Sequence, residues 1–118
     1  MAKIYVAGNE LERARKVVKL LQDSGHTITY DWFSAYSEDD QKQKAHDERE
    51  GVRNADILVY LWEAKQESAR YEAGMAMGLG KPIIAVGHDA FFFLLPEVTS
   101  VATDADITKA LNSITNSL

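Results

Sequence analysis

Cysteine is absent from the 118 residues, which excludes disulfides, thiolate metal sites and a cysteine nucleophile. A long basic run is missing too, and with a net charge of -5 duplex nucleic acid is not an expected partner. No apolar stretch approaches membrane-spanning length, so no membrane partner is expected. No signal-peptide pattern precedes the first strand, and the expected location is cytoplasmic. The three histidines, His26, His46 and His88, are scattered without metal-ligand spacing, so no metal site is expected. Neither GxGxxG nor a Walker loop occurs, and no dinucleotide, nucleoside triphosphate or other cofactor is implied. Glu10 and Glu12 would in addition repel phosphate at the first helix start. A GxSxG elbow is also missing, which removes the usual serine nucleophile. Without repeats, low-complexity tracts or a linker, residues 1–118 read as a single domain with one core.

What is present is organised around residues 56–87. Ile57 to Trp62 is a short, apolar, β-branched run of the kind found in buried parallel strands. A polar loop over residues 63–67 follows, and then a small-residue amphipathic helix from Ser68 to Leu79. Gly80-Lys81-Pro82 stops it, and Ile83 to Val86 restarts as a second buried strand. This is a right-handed strand–helix–strand unit.

Before it, Lys3 to Ala7 is predicted as a strand, with Asn9 capping a helix whose apolar face carries Leu11, Ala14, Val17, Val18 and Leu21. His26 to Tyr30 is a second strand. Asp31 to Ser37 is a loop carrying Trp32, Phe33 and Tyr36, equally suited to a pocket wall or a subunit contact. A very polar helix spans Glu38 to Asn54, with Ala45 and Val52 as core candidates; such a helix lies on the surface or turns polar groups toward a site. After the central unit come an aromatic loop with Phe91 to Leu95, an edge strand over Val98 to Ala102, and a last helix capped by Thr103 or Asp104. The order predicts a three-layer α/β sandwich with a flavodoxin-like parallel sheet, strand order 2-1-3-4-5.

Ligands of such sheets sit beyond the carboxyl ends of the strands, near the reversal between strands 1 and 3. Gly8, Asn9, Trp62, Gln66, Ser68 and Asp89 fall on those loops and are the candidate substrate contacts. Ser68 also suits a helix cap. Glu72 is the carboxylate placed there. It either offsets the helix dipole, a contribution of roughly 0.3–1 kcal/mol, or acts as a nucleophile kept ionised by the positive helix end. Glu48 competes with Asp47 and Glu50 as a second carboxylate. Asp56, at the far end of its strand, reads as structural.

Ile4-Tyr5-Val6-Ala7-Gly8, Glu48 to Asp56, Tyr71-Glu72-Ala73-Gly74-Met75-Ala76 and Gly80-Lys81-Pro82-Ile83 occur in this order and spacing. Together they resemble the nucleoside 2-deoxyribosyltransferase family, including its 2'-deoxynucleoside 5'-monophosphate N-glycosidase relatives. The resemblance implies that Glu72 is the nucleophile attacking the anomeric carbon of the sugar. It implies that Tyr5 lines the site and holds Glu72. Glu48 stands where the family has an aspartate, eight residues before Asp56. The pattern is not kept at Gln66, where the transferases have an aspartate and the monophosphate hydrolases a serine. It is not kept in the loop His88-Asp89-Ala90-Phe91, which lacks the transferases' asparagine, or in Asn9-Glu10-Leu11-Glu12, which lacks the hydrolases' arginine. A homo-oligomer is implied, with Phe91 to Leu95 and the Trp32–Phe33 loop as interface candidates, and a nucleoside or nucleotide as the small-molecule partner. The competing reading on the same fold is a non-catalytic nucleotide- or nucleotide-signal-binding protein, distinguished by binding without base release.

Overall fold

The computed structural model describes residues 1–33 and 40–116. The most apolar run of the chain forms its central strand, β3 (Ile57–Leu61), with every residue buried. Burial on both faces requires cover on both sides, and the neighbours supply it. Five parallel strands, β1 (Lys3–Ala7), β2 (Thr27–Ile28), β3, β4 (Ile83–Val86) and β5 (Val98–Val101), form one sheet in the order β2-β1-β3-β4-β5. Helices α1 (Leu11–Asp23) and α4 (Ile107–Asn116) cover one face; α2 (Gln41–Asn54) and α3 (Ser68–Gly78) cover the other.

Strand side chains alternate between faces, and the alternation decides what reaches the site. Ile4, Val6, Ile57, Val59, Leu61, Ile84 and Val86 join Ala14, Val17, Val18 and Leu21 of α1 and Ile107 and Leu111 of α4 in one core layer. Tyr5, Ala7, Leu58, Tyr60, Ile83 and Ala85 face Val52 of α2 and Ala69, Ala73 and Ala76 of α3. Tyr5 is thereby turned to the α2–α3 side with no exposed surface. The small alanine face of α3 lets that helix lie close to the sheet. Asp56 ties the amino ends of β1 and β3 together by accepting the Lys3 N–H at 2.9 Å.

Several expectations are corrected. The second strand is only two residues long, Thr27–Ile28, and His26 before it is buried and accepts the Ala2 N–H at 3.3 Å. Ala45 is exposed, and α2 buries only Gly51 and Val52. Leu11 is exposed as well, at 40%. The N-cap of α1 is Glu10 rather than Asn9, and that of α3 is Glu67 rather than Ser68; neither cap makes a side-chain bond. Thr103 forms a capping box with Asp106 at a short 3-10 turn, Asp104–Asp106, from which α4 continues. Phe91–Leu94 is a 3-10 turn with Phe91, Phe92 and Leu94 exposed. Tyr36, Ser37 and the start expected for the second helix at Glu38 lie outside the described residues. Among the described residues, no helix is long and apolar enough to cross a membrane.

Candidate active site

Glu72 is the fifth residue of α3 and points down at the sheet with only 5% of its surface exposed. The alternation of β1 has put the Tyr5 phenol beneath it, and the hydroxyl donates to Glu72 Oε2 at 2.5 Å. Helix α2 runs beside α3 and brings Glu48 within hydrogen-bonding reach of the same carboxyl. Glu72 and Glu48 line one open cavity of about 720 Å³ together with Gly8, Asn9, Trp32 and Ser68. It lies at the reversal between β1 and β3, where such sheets take ligands.

The electrostatics differ from the expectation. The Glu72 pKa is pushed up to about 9, first by burial, then by the hydrogen bond and charge of Glu48; the Tyr5 hydroxyl pulls the other way without matching them. The helix terminus does not keep it ionised, because Glu72 sits beyond the first turn and has lost its water. The carboxyl therefore holds a proton at neutral pH, placed between two acids. Burial and the adjoining carboxyl push the Tyr5 phenol above its ordinary range, which favours its role as a donor to Glu72.

Gly51 makes room for the Tyr5 ring. A Cβ there would lie 2.8 Å from Tyr30 Cβ and 2.9 Å from Tyr5 Cδ2, and neither neighbour can yield without moving backbone or a buried ring. Gly51→Ala is expected to cost about 1–2 kcal/mol, overpacking being partly offset by better helix propensity. Paired melts check this, and a wild-type melting temperature for Gly51→Ala would show that the ring is not wedged.

The remaining candidates are dispersed. Gln66 has its amide fully engaged in its own loop, accepting from Tyr60 Oη at 2.6 Å and the Glu63 N–H at 3.2 Å, and donating to the Leu61 carbonyl at 3.1 Å. Trp62 stacks on His88 at 4.2 Å between ring centres, by a separate cavity under the Phe91–Leu94 turn. Asp89 lies beside a third cavity near the end of β5. The structure thus unites Glu72, Tyr5, Glu48, Gly8, Asn9 and Ser68, and leaves Gln66, Trp62 and Asp89 apart. Trp32 is a wall of the site, its Nε1 donating to the Val6 carbonyl at 2.7 Å.

Glu63 was not singled out from the sequence. It is 7% exposed, and Oε1 accepts the N–H groups of Asn9 at 2.6 Å and Glu10 at 3.1 Å; Arg13 Nη1 approaches Oε2 at 3.3 Å. The carboxylate at the end of β3 thus caps α1 from outside, in place of a side chain of its own. The available signals were an acid directly after a buried strand and a helix start lacking Ser, Thr or Asp at the cap. The cavity wall formed by Lys44, Arg49 and Tyr71 was also missed individually, although the polarity of α2 had pointed to groups turned toward a site. No group of acids and histidines suited to a metal ion occurs among the described residues.

The model of the family described as nucleoside 2-deoxyribosyltransferase matches residues 4–103. No curated protein matches the chain. Among solved structures, the CMP N-glycosidase BcmB of Clostridium botulinum is similar with a TM-score of 0.67 and 15% identity, over 93% of this chain and 98% of that one. A conserved protein from Enterococcus faecalis V583 gives 0.68 and 19%, over 96% and 98%. A 2-deoxyribosyltransferase from Bacillus psychrosaccharolyticus gives 0.64 and 20%, over 90% of each chain. At these identities the structural likeness speaks to the fold.

Proposed function

Because the chain belongs to the nucleoside 2-deoxyribosyltransferase family, we propose that it breaks the N-glycosidic bond of a deoxynucleoside or its nucleotide, with Glu72 attacking C1' of the sugar. The observation that carries this is the buried hydrogen bond from Tyr5 to Glu72, with Glu48 beside it, at the floor of a cavity large enough for a nucleoside.

The proton shared by the two acids gives each a role. As the C1'–N bond breaks, its electron pair goes to the base nitrogen, which takes a proton through Glu48 as Glu72 hands its own proton to Glu48. The positive charge growing on the sugar ring favours the ionised form of Glu72, whose oxygen bonds to C1'. Tyr5 holds the attacking carboxylate in line. Water, or a second base, then displaces Glu72 from C1' and its proton returns to Glu48. Water gives hydrolysis and a base gives transfer. No step calls on a metal or cofactor.

Chromatographic detection of free base from a panel of deoxynucleosides, across pH, tests the proposal. Release should fall as pH rises past about 9, where the pair loses the proton the base needs. A second base in the mixture should give a new nucleoside if transfer occurs. Nucleoside binding without release at any pH would favour the binding-protein reading instead. The exposed Phe91, Phe92 and Leu94 support self-association as a companion proposal.

A further inference from the structure

We propose that Glu63 makes this site select 2'-deoxynucleosides over their 5'-monophosphates. The inference rests on the proposed function and narrows its substrate class.

With Glu72 at C1' and Glu48 donating to the base, the base lies on the α2 side of the cavity. The 5'-carbon leaves the opposite edge of the sugar ring. In the proposed pose it extends toward the turn between β1 and α1, where Gly8 and Asn9 line the cavity. A turn of this kind ordinarily holds an anion, because its N–H groups and the helix dipole point at the ligand. Here the anion is already present as a side chain. The N–H groups of Asn9 and Glu10 both donate to Glu63 Oε1. That oxygen lies 3.8 Å from where a Gly8 Cβ would be, directly behind the cavity wall.

The carboxylate is held firmly. Arg13 binds it through Nη1 and grips Asp104 with Nε at 2.9 Å and Nη2 at 2.7 Å, so its charge is shared with a second acid. Gln66 Nε2 approaches Glu63 Oε1 at 3.3 Å, and the Asn9 side chain donates to the Lys65 carbonyl at 3.1 Å, pinning the two loops together. A 5'-phosphate entering here meets a fixed negative charge and finds both of these N–H groups taken, whereas a 5'-hydroxyl carries no charge to repel. Rejection thus comes from a built-in repulsive element. The cavity's cations, Lys44 and Arg49, stand on α2, at the base end.

The test is turnover and calorimetric binding of matched pairs, each deoxynucleoside beside its 5'-monophosphate, with wild type and Glu63→Gln. Wild type should favour the nucleoside by roughly tenfold or more in kcat/KM, as expected for a like charge brought close. Glu63→Gln keeps an acceptor for the two N–H groups and should narrow that ratio several-fold, through the KM of the monophosphate. Equal or better use of the monophosphate by wild type overturns the inference, as does an unchanged ratio in a folded Glu63→Gln protein. If neither member is cleaved, the glycosidic reading fails, and binding still decides this one: tighter nucleoside supports it, tighter monophosphate or no binding overturns it.

Discussion

Glu72→Gln is expected to lose turnover by on the order of a thousandfold or more while melting at a higher temperature than wild type. Both effects follow from one cause. The buried carboxyl is the nucleophile, so an amide in its place leaves nothing to bond to C1'. The same burial makes ionisation unfavourable. A carboxyl whose pKa is higher in the folded than in the unfolded chain favours folding fully at low pH. That favour drains away as pH climbs from about 4.5 to about 9. Near neutral pH, holding Glu72 in place thus costs on the order of 3 kcal/mol, taking 1.36 kcal/mol per pKa unit. Glutamine keeps an acceptor for the Tyr5 hydroxyl and gains an N–H toward Glu48, and it never titrates. The gain should be about 5 °C or more near pH 8 and shrink toward pH 5. Scanning calorimetry over that range checks it. A variant that melts lower throughout would mean that the carboxyl is not under the strain described.

The second large effect is at Glu48. Glu48→Gln should lower kcat by roughly a hundredfold to ten-thousandfold, the usual reach of a positioned general acid. It should also alter the shape of the pH profile. Without a neighbouring carboxyl, two of the influences that raise the Glu72 pKa disappear, and Glu72 ionises at lower pH. The fall in activity past about pH 9 should then vanish together with the rate. Substrates whose base leaves without protonation should be spared most of the loss. A Glu48→Gln enzyme with wild-type rates on ordinary bases, and an unmoved profile, would assign the proton to another group.

The sheet was legible in the sequence because its signal is local. The Ile57–Leu61 run, the Gly80-Lys81-Pro82 break and the 3.6-residue spacing of Ala14, Val17, Val18 and Leu21 state their element types by themselves. The edge was less legible, since β2 is two residues long and pairs only with β1, while His26 before it bonds to Ala2, far away in the chain. The site divides the same way. Composition allowed Glu72 no more than a helix-dipole role or a nucleophile; the resemblance singled it out with Tyr5 and Glu48. The sign of its pKa shift was misjudged, because a helix start is visible in sequence and the loss of water is not. Glu63, Gly51 and Arg13 act across 21 to 91 residues of chain, and no periodicity marks such contacts. Gln66 illustrates the converse: its position suggested a substrate contact, while the fold spends its amide on Tyr60 and the Leu61 carbonyl.

The most direct measurement is peptide mapping by mass spectrometry of enzyme acid-quenched during turnover of a deoxynucleoside. A deoxyribosyl ester on the peptide carrying Glu72, absent from Glu72→Gln, is the predicted result. Base release with inversion at C1' and an unmodified Glu72 peptide, or a sugar bonded to another residue, would contradict it.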